Sequence, residues 1–362
     1  MTILSPLTSH EQQTNVDAPR MCCRGKNSCN VKNGILDVIG KTPIVSLPHL
    51  FNHDRSDINL CAKLEYLNPG GSAKDRSGYR MMLNALKLGK INDDSVIIES
   101  SSGNLGIALA QVCLMWKLRF ICVIDPKTTQ ANKDLLKAYG AEIDCVTEPD
   151  AITGEFLQAR INRVNQLLNE IPNSYRPNQY SNINNPEGHK PAMLEIVDSL
   201  GFVPDYVFCA VSTCGTVRGY SECARTNNFH TKIIAVDAVG SVIFGKERKK
   251  RLIPGHGAAV VPDLYYDGIA DDFVQVTDSD CVVGCRRLLR KEGIFAGGST
   301  GAIVSAINIF KSKIEKGSSV VFVVHDRGER YLETVYSDQW VKEKLGIDCE
   351  LLTKSIIQEE TL

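Results

Sequence analysis

From Gly34 onward the chain alternates short runs of apolar, often β-branched residues with longer stretches of helical period. Strands are predicted at Leu60–Glu65, Val96–Glu99, Arg119–Ile124, Glu142–Val146, Asp205–Ala210, Lys232–Asp237 and Ser319–Val324. Helices are predicted at Lys74–Leu88, Asn104–Trp116, Asn132–Tyr139, Phe156–Asn169, Thr216–Ala224, Asp280–Lys291 and Thr300–Ile314. This alternation of strands and helices argues an α/β architecture with largely parallel sheets. Residues 1–33 differ. They are rich in Ser, Thr, Asn and Gln, lack apolar periodicity, and are expected to form a disordered tail.

Composition narrows the class. The 362 residues carry 41 Lys and Arg against 42 Asp and Glu, a net charge of −1. That balance gives no electrostatic footprint for nucleic acid. No apolar stretch reaches the roughly 18 residues a membrane helix needs, and the N-terminus lacks the apolar core of a secretory signal. The 13 cysteines are odd in number, and several lie in apolar runs such as Ile121-Cys122-Val123. Free thiols in a reducing cytoplasm are therefore expected, and small molecules as substrates. Cys22, Cys23 and Cys29 in the tail read either as a ligand set or as incidental thiols; with only His10 near and no C-x-x-C, no metal site is expected.

Four segments could carry chemistry. Asn68–Arg76 joins a glycine turn to a helix whose first turn holds Lys74, with Ser72 or Asp75 as caps. The positive end of a helix disfavours an ammonium, which suits a Schiff-base or general-base lysine, although a solvated surface lysine fits too. Glu99–Gly106 is a hydroxyl-rich turn after a strand, able to offer free N–H groups to an anion, or an ordinary turn capped by Ser102 or Asn104. Val211-Ser212-Thr213-Cys214-Gly215-Thr216 repeats that geometry and reads as a phosphate cradle or a plain turn. It lacks both G-x-G-x-x-G and a Walker lysine, so nucleotide binding is not expected. Gly293–Gly301 is a glycine-rich turn that either packs backbone closely or delivers the Ser299 hydroxyl to a cofactor ring.

Taken together, these segments resemble the cysteine synthase/cystathionine β-synthase family of fold-type II pyridoxal 5′-phosphate (PLP) enzymes. The resemblance runs from Gly40-Lys41-Thr42-Pro43-Ile44-Val45 to Gly328-Glu329-Arg330-Tyr331. It implies a tryptophan synthase β-like fold of two interleaved three-layer α/β/α domains. The smaller would span 61–178, the larger 34–60 with 179–345, and residues 346–362 would form a C-terminal tail. It also implies a homodimer. Lys74 would bind the cofactor as a Schiff base, Asn104 would contact its phenolic oxygen, Ser212 to Thr216 its phosphate, and Ser299 its pyridine nitrogen. Ser101, Ser102 and Gly103 would hold the substrate α-carboxylate. A serine does not force the ring nitrogen to stay protonated, which suits β-elimination.

The loops depart from the sulfhydrylase patterns T-S-G-N-T, G-T-G-G-T and P-S-S-G-E-R-Y. Here they read Ser101-Ser102-Gly103-Asn104-Leu105, Ser212-Thr213-Cys214-Gly215-Thr216 and His325-Asp326-Arg327-Gly328-Glu329-Arg330-Tyr331. Ala62–Ser72, Glu99–Ala110, Gly240–Gly245, Glu292–Gly301, Asp326-Arg327-Gly328 and Tyr336-Ser337-Asp338 are similar to N-(2-amino-2-carboxyethyl)-L-glutamate synthases of siderophore (2,3-diaminopropionate) biosynthesis. That similarity implies β-replacement of O-phospho-L-serine by L-glutamate through an aminoacrylate. Arg160, Tyr180 and Ser212 are the acceptor candidates it suggests, although Arg160 also fits a solvated helix face and Tyr180 a core aromatic. The basic run Lys246, Arg248, Lys249, Lys250 and Arg251 could attract a phosphorylated donor or be a solvated face. A cysteine or cystathionine β-synthase, or a catalytically silent binding homologue, are the other readings.

Overall fold

The computed structural model describes residues 32–51, 58–245 and 247–358. The tail cysteines and Lys246 lie outside them. In chain order the elements are β1 (Ile44–Ser46), β2 (Asn59–Lys63), α1 (Lys74–Lys87), β3 (Val96–Ser100), α2 (Asn104–Trp116), β4 (Arg119–Ile124) and α3 (Gln130–Ala138). Next come β5 (Glu142–Cys145), α4 (Phe156–Glu170), β6 (Ser174–Tyr175), α5 (Asn184–Leu200), β7 (Tyr206–Ala210), α6 (Gly215–Thr226) and β8 (Lys232–Ala238). The chain continues with β9 (Asp272–Val276), α7 (Asp278–Glu292), α8 (Gly298–Ile309), β10 (Ser319–Val323), α9 (Asp338–Leu345) and α10 (Cys349–Gln358).

Two sheets result. One has six strands in the order β1-β2-β10-β7-β8-β9, parallel except for the β1–β2 pair. The other has four parallel strands, β5-β4-β3-β6. Alternating side chains send each sheet's two faces into separate cores. Phe208, Val236 and Phe322 pack against α7 and α8 residues such as Cys285 and Ile303, while Val207, Ala235 and Val321 pack against Met193 of α5 and Tyr220 of α6. In the four-stranded sheet, Ile97 and Phe120 meet Met81, Met82 and Leu109, whereas Ile98 and Val123 meet Val164 and Leu167 of α4. Each sheet is therefore the middle of an α/β/α sandwich.

The expected boundary between residues 60 and 61 falls inside β2, which pairs with β1 and β10 in the six-stranded sheet. Helix α5 has no counterpart among the predicted elements. Pro186 and Gly188 hide its period, yet Pro186 sits in the first turn, where an N–H has no intrahelical partner anyway. Pro191 lies inside the helix, whose face is held by the buried Ala192, Met193 and Ile196. Strands β1, β6 and β9 and helices α9 and α10 are also additional. No helix among the described residues is long and apolar enough to cross a membrane.

Candidate active site

Parallel strands open their carboxyl ends to a crevice where loops can gather functional groups. Three of the candidate turns do so here, following β2, β3 and β7, while the fourth joins α7 to α8 and meets the segment that follows β10. Lys74 is the first residue of α1. Burial pushes its amine below the ordinary lysine range, opposed mainly by the charge of Asp326. The turn before it is held otherwise than its sequence suggests. Asp75 turns back, accepting the Gly70 N–H at 2.5 Å, and burial raises its carboxyl to about 7. Ser72 Oγ accepts from Lys74 N at 3.2 Å, while the N-cap position itself falls on Ala73.

After β3, the hydroxyl that serves α2 is that of Ser101, which accepts the Gly106 N–H at 2.9 Å. Ser102 and Asn104, the expected caps, do other things. Ser102 O accepts from Asn132 Nδ2 at 2.9 Å. Asn104 Nδ2 donates to Asp326 Oδ2 at 2.7 Å, and Arg330 donates to Asn104 Oδ1. Gly103 is the residue that precedes the helix.

The turn between β7 and α6 holds Ser212, Thr213, Cys214, Gly215 and Thr216. Cys214 has φ +65°, an αL conformation that aims the first N–H groups of α6 outward. Burial raises its thiol to about 12, so it stays neutral. A Cβ on Gly215 would come within 2.0 Å of Asn185 Oδ1, so only glycine lets α5 approach this closely. Asn185 Nδ2 bridges Gln179 O at 2.7 Å and Thr213 Oγ1 at 3.2 Å. Ser212 Oγ donates to Gly257 O at 3.2 Å. Ser299 lies in the first turn of α8, buried, and its hydroxyl makes no hydrogen bond to the described residues.

Several buried polar atoms around these turns lack partners among the described residues: Asp326 Oδ1, Asn185 Oδ1 and both ring nitrogens of His189. Burial, then the nearby Lys74, pushes His189 well below the usual histidine range and His325 down to about 3. Both rings are therefore neutral at pH 7. Unsatisfied groups of this kind are costly unless something binds them. The amine of Lys74, the Ser299 hydroxyl and the α6 N-terminus form a donor set suited to a phosphate-bearing group, and the Asp326 and Asn185 oxygens add acceptors for its other polar atoms.

Arg160 and Tyr180 are both buried, and the Arg160 charge reaches the Tyr180 phenol. Arg160 is buried on α4 and faces Asp125 Oδ2 at 3.2 Å, although its Nε makes no aligned hydrogen bond. Burial raises the Tyr180 phenol, which feels Arg160, Glu99 and Arg176. Cys122 links this group to the turn, its thiol donating to Ser101 O at 3.1 Å. The basic run does not act as one patch. Arg248 pairs with Glu155, Lys249 pairs with Glu247 at 2.9 Å, and Arg251 donates to His256 O at 2.6 Å. Asp326, Asn185 and His189 went unmarked as site residues in the sequence. The changed His325-Asp326-Arg327 motif was the one available signal for the first, and the irregular α5 sequence hid the other two.

Residues 35–326 match the protein family described as pyridoxal-phosphate dependent enzymes. An O-acetylserine dependent cystathionine β-synthase from Helicobacter pylori is similar at 29% identity and TM-score 0.77, covering 85% of this chain and 100% of its own. A hydrogen sulfide-producing enzyme from Fusobacterium nucleatum shares 31% identity at TM-score 0.77, over 83% of this chain and 100% of that one. An O-ureido-L-serine synthase matches at 28% identity and TM-score 0.78, over 89% and 99% respectively. With the fold, the donor set and these likenesses in agreement, the chain belongs to the pyridoxal-phosphate dependent enzyme family, among the fold-type II enzymes of β-replacement.

Proposed function

We propose that this enzyme joins O-phospho-L-serine to the α-amine of L-glutamate, giving N-(2-amino-2-carboxyethyl)-L-glutamate and phosphate. The observation that supports this reading is the buried Arg160, which faces Asp125 without an aligned hydrogen bond from Nε and whose charge reaches the buried Tyr180 phenol. A glutamate acceptor brings two carboxylates, and a buried guanidinium with an unsatisfied Nε beside a phenol is chemistry that receives one.

When bound, PLP supplies an electron sink for negative charge at the substrate Cα. Lys74 would hold the cofactor covalently and, with its amine favoured in the neutral form by burial, take the Cα proton and later return it. The N–H groups opening α6, with Ser212, Thr213, Cys214 and Thr216 around Gly215, would bind the cofactor phosphate. Asn104 would meet the phenolic oxygen and Ser299 the ring nitrogen, while Ser101, Ser102 and Gly103 would bind the substrate α-carboxylate. Ser212, Arg160 and Tyr180 would then orient glutamate. In the net exchange the donor loses its Cβ–O bond, phosphate departs, and a Cβ–N bond forms.

A sulfur acceptor is the second reading, favoured by the likeness to the O-acetylserine dependent cystathionine β-synthase. A competition assay separates them. Purified enzyme receives O-phospho-L-serine with glutamate and sulfide together, and products are resolved by mass. A glutamate adduct is expected; cysteine alone would overturn the proposal. On the same family resemblance we read the protein as a homodimer, divided into a unit around the four-stranded sheet and one around the six-stranded sheet, and on its cysteine pattern as cytoplasmic. Light scattering giving about 80 kDa would agree with the dimer, twice the chain's 39.8 kDa.

A further inference from the structure

The segment that follows β10 touches the site's other turns at once. Ala73 N donates to His325 O at 2.8 Å, just before Lys74, and Gly297 N donates to Asp326 O at 3.1 Å, just before Ser299. The Asp326 side chain, 1% exposed, lies between them. Its Oδ2 accepts from Asn104 Nδ2 at 2.7 Å and from Tyr331 Oη at 2.6 Å. Its Oδ1 has no partner, and a Cβ placed on Gly297 would come within 2.2 Å of it. Arg330, four residues on, donates to Asn104 Oδ1 and to Gly70 O. The Asn104 amide is thus gripped at both ends, its plane fixed and one N–H left over.

We propose that Asp326 is a positioning residue for the cofactor, acting through Asn104, whose remaining N–H it aims into the site from the opposite sheet. The inference rests on the reading of Asn104 as a cofactor contact. The acceptor oxygen, rather than the charge, is what aims the amide. Asparagine at this position therefore does what aspartate does, and alanine does not.

The test measures PLP affinity and the visible absorption maximum of the full chain after removal and return of the cofactor. Asp326→Ala is expected to weaken PLP binding roughly tenfold, the scale of one hydrogen bond to a charged group, and to move the band. Asp326→Asn should restore most of both. In an Asn104→Ala background, Asp326→Ala should add less than about twofold, because the two act as one unit. Additive losses, or unchanged binding in Asp326→Ala, would overturn the inference. If Asn104→Ala alone left affinity and spectrum unchanged, the reading of Asn104 would fail instead. Should Asp326→Ala not fold, Asp326→Ser set against Asp326→Asn carries the same comparison.

Discussion

Helix α1, which begins at Lys74, is anchored by a buried ion cluster, and Glu195→Gln tests what that anchor contributes. Arg76 donates to Glu195 Oε1 at 2.8 Å and Oε2 at 2.6 Å, and to Glu65 through Nε at 2.6 Å. Lys63, wholly buried, donates to Glu195 Oε2 at 2.7 Å and to Thr42 O at 2.5 Å. Two cations thus face two carboxylates. Removing one carboxylate leaves an uncompensated buried cation, a change that costs about 3–5 kcal/mol. Glu195 keeps 18% side-chain exposure, so water can reach it and the lower end, about 3 kcal/mol, is expected. Urea unfolding of the PLP-loaded protein at pH 7 and fixed PLP reads this directly. The acid side gives a second check. Burial pushes Glu195 up, but hydrogen bonds from Arg76, its charge and then Lys63 outweigh that and hold the carboxyl low; Glu65 is held low likewise by Arg76 and Thr42. Below a carboxylate's ordinary range the unfolded chain binds more protons than the folded one, so stability falls as pH drops through the depressed folded values. Glu195→Gln should flatten part of that fall. Lys63→Met in the same background should recover part of the lost stability by removing the orphaned cation. A loss under about 1 kcal/mol with an unchanged acid limb would refute the reasoning.

Lys74→Ala should abolish both the visible absorbance of bound cofactor and product formation; turnover in that variant, measured by product mass, would contradict the proposed role. Because burial lowers the Lys74 amine, the rate of PLP reconstitution should rise with pH and level off below pH 10.5, the ordinary lysine value, as the neutral amine becomes fully populated. A midpoint at or above that value in stopped-flow absorbance would count against a desolvated amine. Arg160→Ala should raise the glutamate KM about tenfold or more, the loss of a charge-assisted contact, while leaving phosphate release from the donor alone nearly unchanged. Equal damage to both half-reactions would remove Arg160 from the acceptor pocket.

The elements legible in the sequence are those whose side chains face one kind of neighbour throughout. Strands such as β3 and β7 sit between two helical layers, so every position is buried and the run stands out. Helix α5 was illegible for the opposite reason. Its prolines and Gly188 obey demands set by α1 and α6 rather than by its own period, and it carries Asn185 and His189 into the site. Short strands β1 and β6 have only three and two residues, too few for any period. The same distinction governs the site. Lys74, the Ser101–Gly103 turn, the 212–216 turn and Ser299 each follow a local rule of strand, turn and helix start. Hydrogen bonding across turns follows none, which is why Ser101 rather than Ser102 serves α2 and why Asn104 turns away from its own helix.

That turning away locates the chemistry's dependence on long-range structure. Asn104 and Asp326 are 222 residues apart in sequence, as are few other hydrogen-bonded side chains of the site, and they join the four-stranded sheet to the six-stranded one. Lys74 enters on the connection that leaves the larger sheet and returns to the smaller. A site assembled from both sheets needs some contact to set their spacing. The buried ion cluster does so beneath α1, with Arg76 holding Glu65 and Glu195, and Asp326 does so above Lys74. Substitutions at either place therefore act at a distance from any bound substrate, but with different signatures. Loss of the cluster lowers stability across the whole chain, whereas loss of the Asp326 oxygen is read first at the cofactor.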